Sequence, residues 1–140
     1  MKKFGYPDNC VKEFHQWVVL LRPQQVTLGS LVLICREDAT AFSQISPEAF
    51  GELPGIIREI EGGVSRAFTY IKINYLMLMM VDPEVHFHII PRYDSPRTIF
   101  QQQFLDHGWP GPPDLKSSNT ISTEVTKKLL THLQEILSAT

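Results

Sequence analysis

Two histidines stand one residue apart in the run MVDPEVHFHIIPRY, residues 80–93. A β-strand turns alternate side chains to opposite faces, so His86 and His88 would share one face about 6.5 to 7 Å apart, with Glu84 beside them. The apolar side chains between them would take the other face: Val85, Phe87 and Ile89. The spacing therefore predicts a rigidly held pair of imidazoles next to a carboxylate.

The chemistry of imidazole leaves three interpretations of this pair open. Both side chains could be structural, with their hydrogen bonds satisfied inside the fold. They could instead bind Zn²⁺, in which case Glu84, His107 or His15 would have to complete the site, although no spacing singles these residues out. Finally, one imidazole could attack a phosphorus atom while the other hydrogen-bonds a phosphate oxygen, because neutral imidazole is nucleophilic near pH 7.

The composition bounds the kind of protein that carries this pair. With 140 residues, 43% hydrophobic and 20% charged residues and a net charge of −2, the chain has the profile of one soluble globular domain. A general nucleic-acid binder would normally have a basic excess, which is absent here, so no nucleic-acid partner is expected. A small charged ligand stays compatible with the composition, because it needs only a local positive potential.

Neither a membrane span nor a secretory signal is expected. The longest fully apolar run, residues 75–81, is far shorter than the roughly 20 residues that a membrane helix needs. Residues 7–9, PDN, interrupt the N-terminal stretch before any apolar core can form, which favours a cytoplasmic protein. Cys10 and Cys35 lack a C-x-x-C partner, so they are expected to be free thiols.

The strands and helices that would position the histidines can be outlined from periodicity. Residues 15–23 and 29–37 predict two strands joined by a short connection. Residues 70–81 predict a further strand that is apolar on both faces in its second half, hence a central strand with methionines as core filler. A proline-rich loop over residues 95–120 and an amphipathic helix over about 121–138 would follow.

A long helix is predicted between the second and third of these strands. Ser46 can cap its first amides and Pro47 suits its first turn. Apolar residues then recur at helical spacing: Phe50, Leu53, Ile57, Ile60, Val64 and Phe68. Pro54 and the pair Gly62 and Gly63 predict a kink or an early end, because proline removes a helical hydrogen bond and glycine lowers helix propensity.

The run EVHFHIIPR, residues 84–92, resembles the signature of the histidine triad (HIT) family, which is H-x-H-x-H followed by two apolar residues and often by P-R. The segment LGSLVLICRED, residues 28–38, and the methionine-rich strand extend the similarity over roughly residues 15–93. WPGP, residues 109–112, is similar to a tail segment of some bacterial members. The resemblance implies an α+β fold in which an antiparallel sheet of about five strands carries a long helix and a C-terminal helix.

This resemblance implies one HIT-like domain over residues 1–140, with a core at about 10–95 and the loop and helix already outlined. It gives His86 the role of nucleophile toward the α-phosphate of a nucleotide, forming a nucleotidyl-histidine intermediate. His88 would hydrogen-bond the phosphate or the leaving group. Asn74 would support the substrate, and Arg92 could face phosphate, since a guanidinium matches phosphate geometry.

The main departure from the family pattern is Glu84, which occupies the position of the first histidine. Its main-chain carbonyl can still hold the Nδ1–H of His86, as in the family. Its carboxylate would favour a charged imidazole and repel an incoming phosphate. Two outcomes stay open: the carboxylate hydrogen-bonds away from the site or orients a water, or catalysis is weakened or lost. Ser30 is a further departure, at a position where the family commonly has histidine.

Together, motif and resemblance predict a nucleotide phosphohydrolase or nucleotidyltransferase. Its substrate would be a nucleoside phosphoramidate, a dinucleoside polyphosphate or a related nucleotidyl conjugate. No cofactor or resident metal is required, although Mg²⁺ could arrive with a polyphosphate substrate. The resemblance also implies a homodimer. The alternatives are a nucleotide-binding or regulatory HIT-like module without turnover, which Glu84 motivates, and an H-x-H metal-binding protein.

Overall fold

The polypeptide forms seven strands and two α-helices over the part that this computed structural model describes, residue 1 and residues 4–138. The strands are Cys10–Glu13 (β1), Trp17–Leu21 (β2), Leu31–Cys35 (β3), Lys72–Leu76 (β4), His86–Arg92 (β5), Arg97–Ile99 (β6) and Gln102–Phe104 (β7). The helices are Pro47–Phe68 (α1) and Thr123–Ser138 (α2). Strands β1 to β5 form one antiparallel sheet in the order β1-β2-β3-β5-β4, and β6 pairs with β7. The predicted α+β class, with five antiparallel strands, a long helix and a C-terminal helix, is confirmed.

The two faces of the sheet are covered differently. Strands β2 and β3 are buried along their whole length, which explains why they are apolar at every position rather than at alternate ones. One face packs on both helices in the main core, to which Trp17, Leu33 and Ile89 belong. The other face carries a smaller cluster of Val18, Leu20, Val32 and Ile34, against which Phe4 and Tyr6 pack.

Helix α1 runs without interruption from Pro47 to Phe68, so the expectation of an early end was wrong. The hydroxyl oxygen of Ser46 accepts a hydrogen bond from the amide of Ala49 at 3.1 Å, as a helix cap should. The helix continues past Pro54 because its apolar stripe is buried against the sheet, which offsets the lost hydrogen bond. Of the predicted stripe, Ile60, Val64 and Phe68 are buried, whereas Phe50 is 42% exposed and Ile56 is buried in place of Ile57.

Gly63 on α1 allows the two helices to come close together. A Cβ at this position would lie 2.6 Å from Cγ2 of Ile136 and 3.0 Å from Cδ2 of Leu137, both on α2. A methyl group would therefore push the helices apart. The glycine that lowers helix propensity is required here by packing rather than by a bend.

Strand β4 ends at Leu76 and lies at the edge of the sheet, so the prediction of a central strand reaching Val81 was wrong. The chain leaves the sheet at Met77 because it must reverse direction before entering β5 in antiparallel register. Met80 is 80% exposed and Val81 is 73% exposed, so Met80 does not fill the core as expected. The loop that these residues form lies beside the histidines.

The segment after β5 contains more regular structure than the predicted loop. The β6–β7 hairpin lies in its first part, and the side chain of Asn119 donates to the main-chain carbonyls of Gln25 and Leu105, each at 3.0 Å. Helix α2 begins at Thr123, close to the predicted start. No helix in the described residues is long and apolar enough to cross a bilayer.

Candidate functional site

Strand β5 presents the two histidines on the sheet face opposite the helices. In the antiparallel register His86 lies opposite Ile34 and His88 opposite Val32, both members of the smaller apolar cluster. Phe87 and Ile89 point to the main core instead. The two imidazole rings are 5.1 Å apart between centroids and almost perpendicular, at 87°. The alternation predicted for this strand is therefore present.

A main-chain carbonyl fixes the tautomer of His86. The Nδ1 atom of His86 lies 2.6 Å from the carbonyl oxygen of Glu84. A carbonyl oxygen can only accept, so in this hydrogen bond Nδ1 carries the hydrogen and, in the neutral ring, the lone pair is on Nε2. The side chain of His86 is only 3% exposed. Its ring is thus held in one orientation by a contact that does not depend on which residue type occupies position 84.

The carboxylate of Glu84 has a partner of its own. It accepts a hydrogen bond from the amino group of Met1, with which it also forms an ion pair. The carboxylate is therefore engaged by a cation, while the carbonyl of the same residue serves His86. Of the two outcomes open from the sequence, this contact favours the one in which Glu84 hydrogen-bonds to a group other than the imidazole.

A cavity of about 370 Å³ opens beside the histidine pair. Its lining consists of Phe4, Arg22, Pro23, Gln24, Leu78, Met80, Val81, Asp82, His86 and His88. The Phe4 ring lies 5.1 Å from His86 and 6.0 Å from His88 between centroids, and so covers part of both imidazoles. The cavity combines one apolar wall with a polar end that contains the histidines and a guanidinium.

The environment of His88 keeps its imidazole neutral. Burial, together with the smaller effects of the nearby charges of Arg22 and His86, lowers the pKa of His88 from the ordinary 6.5 to about 4. The Nδ1 atom of His88 is buried and has no hydrogen-bond partner among the described residues. An unpaired buried polar group costs free energy, so this nitrogen destabilises the fold locally.

We expect His88 to titrate near pH 4 when its imidazole signals are followed by NMR from pH 8 to pH 3.5. Between about pH 6.5 and pH 4 the folded protein then binds fewer protons at His88 than the unfolded chain. This group therefore lowers the free energy of unfolding as the pH falls through that window. Arg22→Gln removes one of the lowering charges and should raise the pKa of His88. Titration of the wild-type signal near 6.5 would contradict the burial.

The structure brings Asn74 and Arg92 together, but away from the cavity. Arg92 is 3% exposed and lies four residues beyond His88 along β5. Its guanidinium donates to both carboxylate oxygens of Asp106, at 2.8 and 3.1 Å, and to the side-chain oxygen of Asn74 at 2.8 Å. It also donates to the carbonyl of Gly111 at 2.8 Å. With these partners Arg92 anchors the segment after β7 rather than facing the ligand space expected for it.

Trp109 belongs to the same anchored segment. The guanidinium of Arg92 lies 5.8 Å from the centre of the Trp109 ring, within range of a cation–π contact. Trp109 does not line the cavity that contains His86 and His88. It lines a separate depression of about 280 Å³ beside Tyr93 and His107. The WPGP segment therefore packs against the sheet at some distance from the histidines.

Arg22 and Phe4 are among the cavity residues that the sequence analysis missed. Arg22 could have been found, because Val18, Leu20 and Arg22 are alternate positions that share the face of the histidines. Phe4 carries no comparable local pattern. It reaches the cavity only because the N-terminal segment crosses the sheet face, which no spacing in the sequence indicates.

A zinc ion bound to His86 and His88 would need a third ligand, and the described residues do not provide one. Within residue 1 and residues 4–138, no three side chains of histidine, cysteine, aspartate or glutamate come together as a metal site. His15 and His107 are both exposed and lie outside the lining of the cavity. Glu84, the third residue considered, is engaged by the amino group of Met1.

Comparison with solved structures identifies the fold. A histidine triad protein from Marinobacter aquaeolei VT8 superposes with a TM-score of 0.76 at 21% sequence identity, over 99% of this chain and 95% of that chain. A histidine triad protein from Bradyrhizobium japonicum gives 0.72 at 16% identity, over 93% and 92% of the two chains. A hypothetical histidine triad nucleotide-binding protein from Sulfolobus tokodaii strain 7 gives 0.69 at 17% identity, over 94% and 84%.

No protein-family model matches the chain, and no curated protein matches its sequence. The similarity therefore lies in the course of the backbone and not in overall sequence. The chain has a HIT-like fold, and its histidine pair lies on strand β5 of that fold.

Proposed function

We propose that this protein is a nucleotide phosphohydrolase or nucleotidyltransferase of the HIT type, with His86 as the nucleophile. The observation that carries the proposal is the hydrogen bond from Nδ1 of His86 to the carbonyl of Glu84, which leaves the Nε2 lone pair for attack. The second imidazole, His88, lines the same cavity and is neutral at pH 7. The motif and the HIT-like fold support the same reaction class.

The proposed reaction has two displacements at the α-phosphorus of a nucleotide. In the first, a bond forms between Nε2 of His86 and phosphorus, the bond to the leaving group breaks, and the leaving group takes up a proton from solvent. In the second, a water oxygen attacks phosphorus and loses a proton to solvent, the phosphorus–nitrogen bond breaks with its electron pair returning to Nε2, and a nucleoside monophosphate is released. His88 can donate a hydrogen bond to a phosphate oxygen or to the leaving group.

The cavity also fits the substrate classes that the motif suggests. Its apolar wall of Phe4, Leu78, Met80 and Val81 offers a surface on which a nucleobase can pack. The polar end beside the histidines would then receive the phosphate. Nucleoside phosphoramidates and dinucleoside polyphosphates both combine these two parts. The proposed two-step reaction needs no cofactor, and Mg²⁺ would accompany only a polyphosphate substrate.

A trapping experiment tests the proposal. The protein is mixed with adenylyl-lysine or a dinucleoside polyphosphate, quenched in base after milliseconds to seconds, and measured by intact mass spectrometry. We expect a nucleotidyl adduct that is labile to acid, as a phosphorus–nitrogen bond is, together with release of nucleoside monophosphate. A chain that binds these compounds without forming an adduct or product would contradict the proposed chemistry.

The second candidate function is a nucleotide-binding module without turnover. It predicts that the protein binds these compounds but forms no adduct or product. The position of Phe4 against both imidazoles favours it, because the ring covers part of the surface from which phosphorus would be approached. The acidic residue in place of the first motif histidine favours it too. The two candidates differ in one observable, since both bind nucleotide but only the enzyme forms the adduct.

We also propose that the protein acts as a homodimer in the cytoplasm and has no nucleic-acid or membrane partner. Within the described residues, strand β4 pairs along one edge only, and a free edge can pair with a second copy of the chain. Large apolar side chains are exposed at both ends of this strand, Ile71 before it and Leu78 after it. These features support self-association along β4.

A further inference from the structure

Arg22 lies at the end of β2, where its main-chain amide donates to the carbonyl of Ser30 at 3.0 Å. Alternation along β2 places its side chain on the face of His86 and His88, and Arg22 lines their cavity. Its Nη1 donates to the carbonyl of Gln24 at 2.8 Å. Its Nε is buried and has no hydrogen-bond partner among the described residues.

Arg22 differs from Arg92, which lies on the same face of the sheet but has a structural role. Arg92 is neutralised by the carboxylate of Asp106 and has every nitrogen bonded. Arg22 forms no ion pair with any described carboxylate, and the only hydrogen bond of its guanidinium within the described residues is to the carbonyl of Gln24. Burial without a counter-charge lowers the pKa of Arg22 from its ordinary value, yet an arginine stays charged at pH 7. A half-buried cation without a counter-charge marks a place for an anion.

The imidazole of His88 lines the same cavity as the guanidinium of Arg22. The charge of Arg22 also acts on His88, since it contributes to the lowered pKa of that imidazole. One ligand in this cavity can therefore contact both the guanidinium and the imidazole. An oxygen-rich anion does this, because it accepts from the guanidinium and from an imidazole N–H at once.

We propose that Arg22 supplies the positive charge that holds the phosphate of the substrate beside His86 and His88. The inference rests on the proposed function and narrows it: the phosphate must arrive with at least one negative charge on its oxygens. Arg22 contacts the non-bridging oxygens, and the apolar wall takes the base. Without the guanidinium, the cavity would have only neutral donors for an anionic group.

The other charged groups at the cavity limit what this site can hold. Asp82 in the β4–β5 loop lines the same cavity and would repel an anion placed against it. The carboxylate of Glu84 is paired with the amino group of Met1. A phosphate bound between Arg22 and His88 would also favour the protonated form of His88. The imidazole that is neutral in the free protein then becomes able to protonate a leaving group.

The test compares binding of phosphorylated and unphosphorylated probes. Affinities of the common nucleoside 5′-monophosphates and of the matching nucleosides are measured by calorimetry for the wild type, Arg22→Gln and Arg22→Lys. We expect Arg22→Gln to weaken monophosphate binding about 10- to 100-fold and to leave nucleoside binding unchanged, since only the charged hydrogen bond is lost. Arg22→Lys keeps the charge but loses the paired donors of the guanidinium. Its monophosphate affinity should therefore lie between those of the wild type and Arg22→Gln.

Arg36→Gln is the matched control, because Arg36 sits on the surface and its partner Glu13 is 3.9 Å away. It should bind the monophosphates as the wild type does. Thermal unfolding of each variant shows whether a loss of binding reflects a loss of folded protein. Equal monophosphate affinity in the wild type and a folded Arg22→Gln variant would overturn the proposal. Failure of the wild type to bind any monophosphate more tightly than its nucleoside would overturn it as well.

These outcomes are separable from those of the hydrolase proposal. Phosphate-dependent binding that disappears in Arg22→Gln supports the anion site even when no adduct can be trapped. Conversely, turnover in the wild type with unchanged KM in Arg22→Gln supports the enzyme and removes Arg22 from the phosphate site. The pKa of His88 is also measured by NMR with and without monophosphate. An increase on binding shows that the phosphate lies beside His88, which a purely structural role for Arg22 would not produce.

Discussion

His86→Asn should abolish formation of the nucleotidyl adduct and reduce turnover by about 10³-fold or more, because the attacking nitrogen is removed. Asparagine is a close substitute for the structural part of the role. Its side-chain amide can still donate to the carbonyl of Glu84, as Nδ1 of His86 does at 2.6 Å. The variant should therefore fold and keep its nucleotide affinity within a few fold. Steady-state turnover and the base-quenched mass measurement provide the two readouts.

His15→Asn is the control for this prediction. His15 is exposed, and its contact to Glu52 is made by its main-chain amide, so the substitution removes an imidazole from the surface alone. It should leave turnover unchanged. If His86→Asn turned over substrate at the wild-type rate, the nucleophile would have to be sought elsewhere. If neither the wild type nor His86→Asn turned over substrate but both bound nucleotide, the binding-module function would be the better description.

Asp106→Ala should lower the free energy of unfolding by about 3 to 5 kcal/mol, because it leaves the buried guanidinium of Arg92 without its carboxylate. The two side chains are only 4% and 1% exposed, and they meet through two hydrogen bonds of 2.8 and 3.1 Å. Asp106 also accepts from the amides of Tyr93 and Gly108 at 3.1 and 3.2 Å. Urea unfolding followed by circular dichroism measures the loss.

Glu124→Gln provides the comparison for an exposed ion pair. Glu124 meets Lys128 one turn along α2 at 3.1 Å, with both side chains more than half exposed, so the expected loss is at most about 0.5 kcal/mol. The double variant Arg92→Met with Asp106→Leu should recover much of the stability that Asp106→Ala loses, since no charge is then left unpaired. Equal stability of Asp106→Ala and the wild type would show that the segment after β7 is not anchored through this pair.

The histidine pair illustrates what local pattern can predict. Strand alternation requires only that residues 84–92 be extended, and it placed His86 and His88 on one face and Phe87 and Ile89 on the other. The same reasoning would have placed Arg22 on that face, had alternation been followed past Leu20 into the residue before Pro23. Periodicity is reliable here because backbone geometry alone generates it.

Strand β4 and helix α1 illustrate where local pattern fails. The apolar run after Leu76 predicted a longer, central strand, but the strand lies at the edge and the run forms a loop with Met80 exposed. Pro54 predicted an interruption, but burial of Ile60 and its neighbours keeps α1 intact. In both cases the result depends on which surfaces the rest of the chain covers, and hydrophobicity along the sequence does not contain that information.

The sequence by itself determined the α+β class, the strand that carries the histidines and the face that they share, because these follow from backbone periodicity and from a short motif. Only the tertiary structure decided which arginine meets the cavity. Arg92 is adjacent to the motif, but Asp106, fourteen residues later, folds back and neutralises it. Arg22 is far from the motif in sequence, but pairing of β2 with β3 and of β3 with β5 brings it to the histidines, where no described carboxylate pairs with it.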